Sequence, residues 1–170
     1  MTLANDLLVD AFDRVRETVQ HTVEGLDEDQ LSFRPHSDAN SIAWLVWHLT
    51  RVQDDHVAEV AGGAQIWTTA GWVERFRLPF DVTATGYGHS AQEVGEVHAT
   101  AELLCGYQDA VHQATVDYVR TLSDDDYGRV VDERWDPPVT LAVRLVSVLN
   151  DTTQHVGQAA YLRGLMPGHG

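Results

Sequence analysis

The sequence contains no lysine, a single cysteine (Cys105), and no uninterrupted apolar run long enough to cross a bilayer. Each shortage closes off a class of function. With one cysteine the chain can form no internal disulfide and no thiolate-rich zinc site, which fits a reducing compartment. No apolar stretch approaches the ~18 residues of a membrane span. Residues 1–15 carry acids where a secretory leader carries bases, so a cytoplasmic location is expected. The 11 basic side chains are all arginines, set against 26 acids for a formal net charge of −15. Nucleic acid is a poor partner for such a chain, because its binding depends on clustered cations that release phosphate counterions. Anionic membrane surfaces are disfavoured for the same reason. A metal cation, or a neutral or cationic small molecule, suits this field better.

Hydrophobic residues make up 44% of the 170 positions and charged residues 22%, enough to build a core and too apolar for a disordered chain. One domain over residues 1–170 is expected. Between residues 3 and 24, Leu8, Phe12, Val15, Val19 and Val23 recur at steps of three and four, the period of a helix with one buried stripe. A second such pattern runs from Ser41 to Ala61 through Ile42, Leu45, Leu49 and Val52, and Gly62-Gly63 ends it. Residues 62–89 lose the period and hold Trp67, Trp72, Phe76, Phe80 and Tyr87, which predicts a long crossover with a short helix near Ala70 to Phe76. Ser90 and Glu93 have capping-box spacing, so a third helix is expected from there to about Leu122, with Gly95 and Gly106 each weakening it by roughly 1 kcal/mol. An acidic connector over 123–138 ends in Pro137-Pro138. The last helix is expected from about Thr140 to Leu162, ended by Gly164 and Pro167. No segment alternates convincingly with period two. The expected fold is an all-α four-helix bundle with a long crossover between its second and third helices.

On the last helix Asp151 and His155 stand four apart, so their side chains leave neighbouring turns of one face. They share a ladder with Arg144, Val148 and Gln158 beside the main apolar stripe. His48 likewise flanks the apolar stripe of the second helix, one turn from Leu45 and Val52. If the two edges meet, two imidazoles and a carboxylate converge, a donor set suited to zinc, nickel or iron(II) with positions left open for water or a thiol. On the residues alone, ordinary polar contacts between helices explain each of these side chains equally well.

The stretch Ser41-Ile42-Ala43-Trp44-Leu45-Val46-Trp47-His48-Leu49-Thr50-Arg51-Val52-Gln53 resembles the signature around the first metal histidine of the DinB/YfiT-like superfamily, especially its actinobacterial members. The run from Asn150 to Gln158, followed by Tyr161-Leu162-Arg163-Gly164, resembles that superfamily's closing helix. The resemblance spans nearly the whole chain. It implies a four-helix bundle holding a divalent ion, zinc or nickel, through His48, His155 and the residue at 151. That third position is commonly histidine; Asp151 is similar to the acidic variant of the mycothiol-dependent maleylpyruvate isomerases. The implied activity is an S-transfer or isomerisation that uses a low-molecular-weight thiol, here mycothiol, and an electrophilic substrate. The resemblance also makes a homodimer a plausible assembly.

Gln158, one turn beyond His155, is a candidate to orient a ligand, and Arg51, Arg144 and Arg163 are candidates to bind a substrate carboxylate or hydroxyl, although arginines more often serve as ion-pair partners. His56 lies about 12 Å along the helix axis from His48, too far to share its ion. Cys105 reads as a small buried hydrophobe. Two other functions stand beside thiol transfer: a non-enzymatic metal-binding or stress-related bundle, and a metal-dependent hydrolase using bound water.

Overall fold

The structure is a computed structural model that describes residues 2–166. Four long helices carry it: α1 (Leu3–Val23), α3 (Ile42–Ala61), α7 (Ala101–Thr121) and α8 (Leu141–Leu165). Between them lie four short ones, α2 (Glu28–Leu31), α4 (Ile66–Thr69), α5 (Trp72–Phe76) and α6 (Ala91–Gly95). Both α1 and α3 pack against α7 and α8, which closes the four into a bundle. This is the all-α architecture expected, with the crossover between the second and third long helices in place. Each long helix starts on a side-chain cap, from Thr2, Ser41, Thr100 and Thr140, whose hydroxyl accepts a backbone N–H of the first turn. Among the described residues no helix is long and apolar enough to cross a membrane.

Three details differ from the sequence reading. The Ser90–Glu93 capping box is real but starts only the five-residue α6; the third long helix begins ten residues later on its own cap, Thr100. The intervening Val97 and Ala99 are buried, so the core holds this break where helix propensity would have run through it. Second, the connector after α7 is not purely irregular. A 3-10 turn (Asp124–Gly128) leads into an antiparallel pair, β1 (Val130–Asp132) and β2 (Val139–Thr140), too short to show a period in sequence. Third, α8 runs through Gly164 to Leu165; Pro167 lies outside the described residues.

The crossover is held by polar groups of α3 as much as by apolar packing. Asp54, buried on α3, accepts the backbone N–H of Ile66 and of Trp67 at 2.9 and 2.7 Å and the Tyr107 hydroxyl at 2.8 Å. Fully buried Arg51, one turn earlier, donates to the Gln65 side chain, to Tyr107 and to the carbonyl of Ala84, and lies 3.7 Å from Asp54. Around this pair Trp67, Trp72 and Phe76 pack with Tyr107 of α7. Burial raises the Asp54 carboxyl above its ordinary value, against the pull of its donors and of Arg51. Removing one partner of a buried pair leaves the other charge uncompensated. Asp54→Ala is therefore expected to destabilise the protein by about 3–5 kcal/mol in urea unfolding, with the crossover loosened. A cost below about 1 kcal/mol would show that the network is not structural.

Candidate metal centre

The middle of α3 is buried on every side, and His48 is only 6% exposed. One ring face stacks on Trp44, four residues earlier, with centroids 4.5 Å apart. Its Nδ1 lies 2.5 Å from the carbonyl oxygen of Thr85 in the crossover. A carbonyl only accepts, so Nδ1 carries the proton and Nε2 is left with its lone pair free. Burial lowers the His48 pKa, which favours the neutral ring a metal needs.

Gly86 makes this contact attainable. Its φ is +94°, in the left-handed region, and a Cβ there would stand 2.7 Å from His48 Nδ1 and 3.0 Å from the Trp47 ring. The residue is glycine for two reasons, backbone conformation and close approach. Sequence reading missed it, because the close approach that demands a glycine arises only when the crossover packs on α3. His89 was likewise missed, since nothing periodic marks the crossover. It accepts the Trp44 indole N–H at 3.3 Å and packs between Phe80 and Trp47.

From α8, His155 brings its ring to 4.8 Å from that of His48, at 72° to it. Its Nδ1 lies 3.1 Å from Gln158 Oε1, again an acceptor, so Nδ1 donates and Nε2 is free. That Nε2 is 3.6 Å from Asp151 Oδ1, an electrostatic contact too long for a good hydrogen bond. The Asp151 carboxylate raises the His155 pKa. Partial burial would push Asp151 up, but His155 and His48 outweigh it and its pKa lies low, leaving an ionised carboxylate at neutral pH. Asp151 Oδ2 is buried without any hydrogen-bond partner. One donor atom from each of His48, Asp151 and His155 lies within 4.8 Å of the other two. An orphaned buried carboxylate oxygen and two imidazoles with free nitrogens form a donor set that fits a divalent cation.

The arginines fall in three different places. Arg51 is fully buried and makes its contacts within the protein. Arg163 donates to the carbonyls of His21, Thr22 and Glu24, closing the C-terminal end of α1. Of these three, Arg144 reaches a cavity that also includes Asp151, and there it bonds His56 Nδ1 and Asp132. His56 lines that cavity and is not among the three clustered donors. Cys105 is half-buried on α7, with burial raising its thiol pKa.

A four-helix bundle with a long crossover and a His-Asp-His cluster shared between its second and fourth long helices defines a protein of the DinB/YfiT-like class. The chain belongs to the mycothiol-S-transferase family, whose model matches residues 7–168. It is also similar to a solved structure, the conserved protein of a locus from Enterococcus faecalis, at 30% identity and a TM-score of 0.90 over 97% of each chain. No curated protein matches it.

Gly86→Ala should lower thermal stability by more than about 1 kcal/mol, since it combines an unfavourable φ with a clash. The same variant should shift the His48 ring resonances in NMR. Unchanged resonances would mean that Gly86 does not set the position of His48.

Proposed function

We propose that the chain is a metal-dependent S-transferase that joins a low-molecular-weight thiol, mycothiol, to an electrophilic substrate, with His48, Asp151 and His155 holding one zinc or nickel ion. The observation that carries this reading is that one donor atom from each of His48, Asp151 and His155 lies within 4.8 Å of the other two, while both imidazoles keep Nε2 free and Asp151 Oδ2 is buried without a partner. Membership of the mycothiol-S-transferase family supplies the thiol.

When bound, the cation would lower the pKa of a thiol beside it and so supply a nucleophilic sulfur near neutral pH. The protein's own groups do the rest. Trp44 and the Thr85 carbonyl hold the His48 ring in one orientation and one tautomer. Gln158 does the same for His155. The inner wall is dry, because Trp44 and Trp47 are buried against His48 and Gly86. The outer wall is open: the Asp151 side chain is 37% exposed, so reactants enter along α8. In the transfer the thiol S–H bond breaks, a sulfur–carbon bond forms, and the leaving group departs with its electron pair and takes up the proton. With an electrophilic double bond the proton goes to carbon instead.

The test combines metal content with thiol dependence. Wild-type protein should carry about one divalent ion per chain by elemental analysis, and His155→Ala should lose it while keeping its helical circular dichroism. Wild type should consume an electrophile such as a bimane halide only when a low-molecular-weight thiol such as mycothiol is supplied. A full metal load in His155→Ala would remove the proposed site. Turnover of esters or amides without any thiol would replace the transferase with a hydrolase.

A further inference from the structure

Outside the bundle, a trough begins at the Asp151 side of the His-Asp-His cluster. Its first chamber, of about 440 Å³, is lined by Asp151 and Val148 of α8, Val52 and His56 of α3, and Asp132 and Trp135 of the β1–β2 hairpin. A second chamber of about 390 Å³ shares His56, Arg134 and Arg144 with the first and extends past Glu59 and Gln65. The hairpin stands where it does because of Asp132. This buried carboxylate receives Arg134 through Nε at 2.9 Å and Nη2 at 2.8 Å, and Arg144 of α8 at 3.1 Å. These two guanidiniums hold its pKa far below the ordinary carboxylate range.

The chemistry of the trough excludes one ligand type and favours another. Both guanidiniums are already matched, Arg134 by Asp132, and Arg144 by Asp132, the His56 ring at 2.9 Å and Glu59 at 3.7 Å. Asp55, Glu59, Asp132 and Asp151 line the two chambers against only Arg134 and Arg144, so an anionic ligand would meet net repulsion. The polar walls nonetheless offer hydrogen-bond donors and acceptors at close intervals. Over them stands Trp135, 65% exposed on the hairpin connection. A tryptophan left in water beside a polar cleft offers a rigid apolar face with little ordering cost, which suits the C–H face of a sugar or cyclitol ring whose hydroxyls turn to the polar walls.

We propose that this trough binds the non-reacting, hydroxyl-rich part of the thiol co-substrate, with a sugar or cyclitol ring on Trp135 and the thiol reaching the cluster past Asp151. The inference rests on the thiol-transfer reading above. It assigns a recognition role to the hairpin, which otherwise only joins α7 to α8. It also gives the family's thiol a basis for preference over shorter thiols: N-acetylcysteine has the sulfur but nothing to fill the trough.

The test uses the full chain with three probes: mycothiol, its thiol-free sugar–cyclitol fragment, and N-acetylcysteine. Calorimetric titration of the metal-stripped protein with the thiol-free fragment should show binding by wild type, weakened about tenfold or more in Trp135→Ala and largely kept in Trp135→Phe. With metal restored, Trp135→Ala should raise KM for mycothiol by a similar factor at nearly unchanged kcat, and leave N-acetylcysteine kinetics unaltered. Failure of the fragment to bind wild type, or equal binding by Trp135→Ala, would overturn the trough assignment. An unchanged KM for mycothiol in Trp135→Ala would overturn it too, while leaving thiol transfer standing. Trp135-dependent fragment binding in a protein that consumes no thiol would support the trough and sink the transferase.

Discussion

The structure depends on one row of buried polar side chains on α3. His48, Arg51 and Asp54, three residues apart, all point from the bundle into the crossover and bind its backbone. Asp54 takes the N–H groups that open α4, Arg51 takes the carbonyl of Ala84, and His48 takes the next carbonyl, that of Thr85. A connection of this length, without strands or long helices, has many backbone groups to satisfy once it is packed against a bundle. Here a few side chains of one helix satisfy them at both ends of the crossover. Burying Arg51 and Asp54 costs solvation that their attraction only partly returns, so the pair is better understood as fixing a conformation than as adding stability.

The same row couples fold to site. The interaction that ties down the crossover at Thr85 also sets which nitrogen of His48 is free. His48 is thus the rigid member of the cluster, held between a tryptophan face and a carbonyl, and approached so closely by Gly86 that no larger residue fits. Asp151 and His155 form the more exposed side, half-buried on α8, with Gln158 orientating the His155 ring. One dry wall and one open wall are what a centre needs if it is to hold an ion firmly and still admit a reactant. The trough under the hairpin starts on the open side.

Much of this was legible in the residues. The long helices announced themselves by period, and the spacing of Asp151 and His155 put both on one face of the last helix, with His48 at the edge of a second apolar stripe; whether those edges meet depends on helix packing that no local pattern encodes. The limits were physical. A capping box such as Ser90–Glu93 signals where a helix starts, but not that it stops after five residues; that depended on Val97 and Ala99 finding places in the core. Arg51 read as a candidate for substrate binding or ion pairing, and not as a buried strut of the crossover, because its partners, Ala84, Gln65 and Tyr107, lie 14 to 56 positions away in the chain. The hairpin was invisible because strands of three and two residues carry no period, and so the exposure of Trp135 carried no meaning until the trough beside it was seen.

The central claim is that side chains from α3 and α8 close on a single cation. X-ray absorption at the zinc edge of the zinc-loaded full chain examines it without reference to any substrate. The account predicts two imidazole nitrogens, with their characteristic outer-ring scattering, and at least one oxygen at about 2.0–2.2 Å. A shell of oxygen or water alone, or one with a single imidazole, would contradict it.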